Sequence, residues 1–294
     1  MINNLQEKER RAIEHLRAFE PKDGKGYYLC YSGGKDSDAI RILAQLANVK
    51  HDIVHNLTTV DAPETVYYVR SIPGVIIERP PKSMWQLIAE NRIPPTRIMR
   101  YCCSELKERG GKGRLKITGV RHAESSKRAE NTDLIRITGK PKQTQKLAKE
   151  IGADFRVTRQ GGLVMNMDND SARRLAEQCY RTRATMLNPI VEWSDADVWE
   201  FLNHYGCESN PLYKCGEKRV GCIGCPMQGY KGMKSDFERY PKYRALYVKA
   251  FDKMVENRQM KDRETDWKNG EEVFRWWVGD DPRQITLEDT EVQL

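Results

Sequence analysis

The chain has 294 residues, enough for one large domain or a domain with an appendage. It is 39% hydrophobic and 31% charged, with 50 Lys and Arg against 42 Asp and Glu and a formal net charge of +8, which describes a globular protein whose basic excess favours polyanionic partners such as nucleotides or nucleic acid. No run of about eighteen apolar residues exists to span a membrane, and the first ten residues hold no apolar signal core, so a cytoplasmic protein with reduced thiols is expected.

Residues 5–19 place Leu5, Ala12, Ile13, Leu16 and Phe19 on one side of a charged helix. A Pro- and Gly-containing turn at 21–26 leads into a short buried strand, Tyr27-Tyr28-Leu29-Cys30. Then comes Tyr31-Ser32-Gly33-Gly34-Lys35-Asp36-Ser37, and after it apolar residues at helical spacing through Leu46. Strand, glycine turn and helix make a phosphate cradle. Gly33 and Gly34 let the backbone approach an anion, and the first amides of the helix point at it with the positive end of the helix dipole behind them. Ser32 and Ser37 add hydroxyls and Lys35 a mobile positive charge. Asp36 would repel a bare phosphate, so its presence implies a bridging Mg²⁺.

A second strand at 51–57 ends in Thr58-Thr59-Val60-Asp61-Ala62-Pro63-Glu64-Thr65, where Pro63 opens a helix. Asp61 is a further candidate for contact with the nucleotide or its metal. Strands at 75–77 and 115–118 follow. Alternating strands and helices predict an α/β fold with a doubly wound parallel sheet, and the glycine loop sits at the carboxyl end of a strand, where ligands collect in such sheets. Residues 130–186 are assigned to the same domain, with a basic helix at 142–149, a turn at Gly161-Gly162 and a helix at 170–180. Ser194 caps a helix carrying Val198, Trp199, Phe201 and Leu202. Beyond Gly206 the composition shifts toward Cys, Gly, Lys and aromatic residues, with helices at 237–254 and 273–277 and a loose acidic terminus. The expected division is an N-terminal helix at 1–20, a nucleotide-binding α/β domain at 21–206, and a Cys-rich, mostly helical metal-binding region at 207–294.

The eight cysteines are at 30, 102, 103, 179, 207, 215, 222 and 225. Cys222-Ile223-Gly224-Cys225 converges two thiolates through a tight turn, and Cys215 reaches the same centre across Gly216 and Gly221. Cys102-Cys103 can close the sphere from the main domain. Four sulfurs suit tetrahedral zinc or a [4Fe–4S] cluster, and spacing alone does not choose. Cys30 and Cys179 read as small buried hydrophobes.

The loop Ser32-Gly33-Gly34-Lys35-Asp36-Ser37 is similar to the SGGxDS loop of the PP-loop ATP pyrophosphatase superfamily, whose members clamp the pyrophosphate of ATP and commonly adenylate a substrate. Arg100-Tyr101-Cys102-Cys103-Ser104-Glu105-Leu106-Lys107 resembles the R-x-C-C-x-x-L-K segment of the PAPS reductase family within that group. The stretch from Gly119 through Arg121 and Glu124-Ser125 to Arg128 resembles that family's G-[IV]-R-x-x-E-S-x-x-R motif, and residues 59–65 and 188–193 resemble further family segments. Together these cover most of residues 27–227 in the expected order. The resemblance implies an adenine nucleotide alpha hydrolase-like fold and an adenine nucleotide bound by the loop with Asp61, Gly119, Arg121 and Arg128. Guanidinium forks suit phosphate or sulfate oxygens. It also favours [4Fe–4S] over zinc, because members with such a centre ligate it through the paired cysteines and the later C-x-x-C. Cys215, Cys222 and Cys225 are closest to the PP-loop proteins of DNA phosphorothioation, where one upstream cysteine completes the set; Cys102 is ranked first for that place, with Cys103 as rival.

Reductases of this family use a nucleophilic cysteine on a C-terminal tail and usually carry an altered loop. This sequence has no cysteine after Cys225 and an intact loop. The leading expectation is therefore ATP cleavage to AMP and pyrophosphate that activates a substrate for sulfur transfer, with Lys35, Asp36 and Ser37 as catalytic residues. Nucleic acid is the natural acceptor, and a separate protein the sulfur donor. The alternatives are a PAPS or APS reductase served by thioredoxin, and a non-catalytic nucleotide- or nucleic-acid-binding regulator with structural zinc.

Overall fold

The computed structural model describes residues 4–260 and 265–281. The acidic terminus expected to be loose lies outside them. The helices are α1 (Asn4–Ala18), α2 (Lys35–Leu46), α3 (Pro63–Ser71), α4 (Met84–Glu90), α5 (Ser126–Asn131), α6 (Pro141–Ile151), α7 (Asp170–Cys179), α8 (Asp195–His204), α9 (Gly229–Arg239), α10 (Pro241–Gln259) and α11 (Gly270–Trp277). The strands are β1 (Tyr27–Cys30), β2 (His51–Asn56), β3 (Val75–Glu78), β4 (Lys116–Ile117), β5 (Ile135–Thr138), β6 (Arg156–Val157), β7 (Leu163–Met165) and β8 (Ala184–Leu187). The chain divides into two compact units. One holds residues through Asn56, Pro63–Glu78 and Gly110–Val220; the other holds Leu57–Ala62, Arg79–Arg109 and the chain from Gly221 onward.

All eight strands lie in the first unit and form one sheet in the order β3-β2-β1-β4-β8-β5-β7-β6. From β3 to β8 the pairs are parallel, with Leu29 opposite Ile53 on one side and Ile117 on the other. Their residues are mostly apolar because helices cover such strands on both faces. The strand order reverses between β1 and β4, so the carboxyl ends of those two strands open a crevice where ligands gather in open α/β sheets. Beyond β8 the sheet turns antiparallel through β5, β7 and β6. The sheet is thus mixed, with its parallel part at the end that carries the glycine loop. Helices α1, α2 and α8 pack together around Leu16, Ile40, Leu43 and Phe201, all withdrawn from solvent.

The second unit is helical. Proline at 241 divides the expected helix at 237–254, since its ring and missing N–H suit a first helical turn but not an interior one. Helix α10 packs against α4 and α11. The interior is aromatic: Tyr247 meets Trp277 at 4.8 Å and Trp85 at 5.0 Å between ring centroids, and Phe237 meets Phe274 at 5.0 Å. No helix among the described residues is long and apolar enough to cross a membrane.

Candidate nucleotide site and cysteine cluster

The glycine loop leaves β1 and enters α2 in the first unit. Gly33 has φ +75°, and a Cβ there would lie 2.8 Å from a Val69 methyl, so glycine is required twice over. Asn210 donates to the Gly33 carbonyl at 3.0 Å and fixes the bend. Ser37 closes the loop on itself: its Oγ accepts from the Gly34 amide at 3.1 Å, donates to the Gly34 carbonyl at 2.7 Å, and accepts from Ser32 at 3.2 Å. The Lys35 amide donates to the Tyr213 hydroxyl at 2.9 Å. Loop and helix start form a preset bend lined by hydroxyls and amides.

A charged network stands beside it. Arg121, wholly buried, donates through Nε to Asp36 Oδ1 at 2.7 Å, through Nη2 to Asp195 Oδ1 at 2.6 Å and through Nη1 to the Trp193 carbonyl at 3.1 Å. The Lys35 ammonium lies 3.3 Å from Asp195 and 3.6 Å from Asp36. Burial opposes the Asp195 charge, yet hydrogen bonds and charge from Arg121 and Lys35 hold its carboxyl below the usual range. Gly119, just past β4, lets the backbone pass Asp36; a Cβ there would sit 2.8 Å from the Asp36 carbonyl oxygen. Arg128 pairs with Glu124 at 3.3 Å, and Glu124 accepts from the Arg121 amide at 3.0 Å. The sequence candidates Ser32, Gly33, Gly34, Lys35, Asp36, Ser37, Gly119 and Arg121 therefore share one place, with Arg128 joined through Glu124.

Asp195, Tyr213 and Asn210 escaped sequence reasoning. Spacing does not separate Asp195 from Asp197, both first-turn acids of α8; only the fold gives Asp195 to Lys35 and Arg121 while Asp197 pairs with Lys8 at 2.6 Å. Tyr213 and Asn210 carried no sequence signal.

Cys102, Cys103, Cys222 and Cys225 belong to the second unit, and Cys215, exposed, to the first. Cys102 and Cys103 share a hydrogen bond that pushes the Cys102 thiol up and draws the Cys103 thiol down, with Arg100 Nη2 donating to Cys103 Sγ at 3.3 Å. Charge from Cys222 and Cys225 also raises Cys102, so the four sulfurs share one electrostatic neighbourhood. A π-helical turn at Cys103–Lys107 carries Lys107, whose ammonium is stabilised first by Cys222 and also by Asp61. The C-x-x-C turn is tied down by the Gly224 amide on Asp236 (2.7 Å) and by the Tyr247 hydroxyl on the Ile223 carbonyl (3.0 Å). Asp61 lies here as well: it forms an antiparallel bridge with Cys222 and accepts from the Thr58 amide at 2.7 Å. Among the described residues, no group of three or more His, Cys, Asp or Glu side chains is arranged to hold a metal ion. The thiols nonetheless fit a thiophilic centre in donor chemistry, being soft sulfur ligands beside cationic Lys107 and Arg100.

The phosphoadenosine phosphosulfate reductase domain matches residues 26–228. The chain belongs to the phosphoadenosine phosphosulfate reductase domain family. Membership ties it to nucleotide chemistry. An uncharacterized protein of Methanocaldococcus jannaschii is 23% identical over 268 residues, covering 86% of this chain and 53% of that protein. Adenosine 5'-phosphosulfate reductase of Allochromatium vinosum is 38% identical over 39 residues, 13% of this chain and 15% of that enzyme. Among solved structures, a phosphate complex of PAPS reductase from Candida auris covers 76% of this chain and 95% of its own, with 14% identity and a TM-score of 0.43. The chain spans about half the length of the curated relatives it matches most broadly.

Proposed function

We propose that this member of the phosphoadenosine phosphosulfate reductase domain family binds ATP at the glycine loop and splits it to AMP and pyrophosphate, activating an acceptor for sulfur transfer. The observation that carries this reading is the convergence of Lys35, Asp36, Ser37 and Arg121 on a preset anion-binding bend at the end of β1. Lys35, Ser32 and Ser37 hold the phosphate oxygens and stabilise charge as it develops on departing pyrophosphate. Arg121 fixes one oxygen of Asp36, so that carboxylate keeps a single orientation. Mg²⁺, when bound, neutralises phosphate oxygens, and Asp36 is the residue that would hold it. Gly119 keeps the rim open, and Arg128 supplies a second guanidinium at the periphery.

Adenylation of an acceptor oxygen makes AMP the leaving group for an incoming sulfur nucleophile. Nucleic acid fits the basic composition as acceptor, with a separate protein as sulfur donor. A [4Fe–4S] cluster, when bound, supplies a place for sulfide; Cys222 and Cys225 would hold it together with Cys102, for which Cys103 is the rival.

The test is pyrophosphate release from ATP and Mg²⁺. Asp36→Ala is expected to reduce it at least 100-fold, an effect of the size of losing one preorganised charge-stabilising group. Turnover retained by that variant would remove the reading. The short match to a named APS reductase supports sulfonucleotide reduction as the competitor. Sulfite formed from PAPS with reduced thioredoxin, without pyrophosphate from ATP, would put that reading in its place.

A further inference from the structure

The second unit carries a loop of which only the last residue, Arg100, serves the cysteine cluster. Residues 92–100 read Arg-Ile-Pro-Pro-Thr-Arg-Ile-Met-Arg, and no acidic residue occurs from Asn91 through Ser104. Its base is anchored. Pro94 and Pro95 are buried, and the Pro95 carbonyl accepts from Trp277 Nε1 at 2.6 Å. Arg258 donates to the Arg92 carbonyl at 2.6 Å, and the Tyr101 hydroxyl donates to the Ile93 carbonyl at 3.2 Å. The tip is a tight turn in which Thr96 Oγ1 accepts from the Met99 amide at 2.9 Å and the Thr96 amide donates back to the Met99 carbonyl at 3.1 Å.

That turn presents Ile98 at 90% exposure and Met99 at 49%. Single exposed apolar residues are ordinary. An adjacent pair on a pinned turn, with the exposed arginines Arg92, Arg97 and Arg100 around it, is a different object. The ordering entropy of the loop is already spent in the fold, so a partner gains the contact without paying it again. Arginines beside an apolar point suit a polyanion with an apolar interior, which describes a base stack between phosphate rails. Platforms for single strands use aromatic rings, whereas aliphatic side chains act as wedges between the base steps of a duplex.

We propose that the loop at 92–100 is a duplex-binding wedge: Ile98 enters a base step while Arg92 and Arg97 hold the flanking phosphates. This names a recognition element for the nucleic-acid acceptor suggested above and rests on that reading for its purpose. Binding itself can be measured without turnover.

The experiment is fluorescence anisotropy of a labelled 20-base-pair DNA duplex across a salt series, with and without one central mismatch, using the full chain. The wild type is expected to bind with affinity that falls steeply with salt, and to bind the mismatched duplex more tightly because its step is already unstacked. Ile98→Ala is expected to weaken binding about tenfold and to abolish the mismatch preference while leaving the salt slope unchanged. Arg97→Ala is expected to lower that slope by about 1. Both positions are exposed, so their melting temperatures should match the wild type within the small range of surface substitutions. Wild-type affinity and mismatch preference in Ile98→Ala would overturn the proposal. So would the absence of salt-dependent duplex binding, or a dimer in light scattering that Ile98→Asp disperses, which would assign the tip to a second copy of this chain. Absence of duplex binding by the wild type, with its pyrophosphate release intact, sinks the wedge alone. Intact binding without pyrophosphate release sinks only the reading of the nucleotide site.

Discussion

Among the described residues Arg121 is the largest side chain wholly removed from solvent, and it carries a full charge. Burying a guanidinium is costly unless its donors are used, and here Asp36, Asp195 and the Trp193 carbonyl use them. The same three bonds that make the charge tolerable also orient Asp36. Arg121→Ala is expected to lower unfolding free energy by about 2–3 kcal/mol, less than for a fully buried pair because both carboxylates reach water. Arg121→Lys keeps the charge but not the fork, and should recover only part of that loss. Urea denaturation checks both, and an unchanged midpoint in Arg121→Ala would contradict the account. The arginine's family position was legible in the sequence; its burial and its Asp195 partner were not, because they depend on where α8 starts in space.

At the level of elements, the first turn of α2 contains two acids with opposite fates. Asp36 faces the loop, whereas Asp38 points inward, accepts from the Tyr31 hydroxyl at 2.5 Å and lies 3.9 Å from Arg41. Burial raises the Asp38 carboxyl to about 6 against Tyr31 and Arg41, which favour its charge. The folded state therefore holds the proton more tightly than the unfolded chain, whose ordinary value is 3.8. Its contribution is full below about pH 4 and is lost as pH rises through about 6. Asp195 runs the other way: its lowered carboxyl contributes above the ordinary value and loses that contribution as pH falls through the native one. Thermal melts from pH 4 to pH 7 should show Asp38→Asn flattening a decline that the wild type retains. Identical profiles would refute the buried-acid assignment. Sequence periodicity located α2 but not this difference, since both acids look like ordinary helix-start residues beside the positive end of the dipole.

For the whole molecule, the cysteines decide how far the proposed chemistry extends beyond nucleotide binding. The second unit draws on 57–62 and 79–109 as well as the chain from Gly221, and that interleaving puts Cys102 and Cys103 in one unit with Cys222 and Cys225. Anaerobic purification should yield a brown protein with a broad visible band and iron and sulfide in equal amounts, about four of each per chain. Cys222→Ser should lose both colour and iron. A colourless protein with one zinc per chain would replace the cluster with a structural site.

The glycine loop was readable without coordinates because strand, bend and helix are local and each leaves a periodic or compositional mark. The strands at 27–30, 51–56, 75–78 and 116–117 were readable for the same reason, as were the helices at 141–151 and 170–179. The antiparallel strands β5, β6 and β7 were not: they are two to four residues long, too short to show alternation, and β5 pairs with segments far from it in the chain, while β6 and β7 form a hairpin of which only the Gly161-Gly162 turn left a mark. Chain order alone determined which side chains the loop carries. Tertiary packing decided which charges stand beside it and which thiols share a neighbourhood, because electrostatic coupling depends on distance through space and not on separation along the backbone.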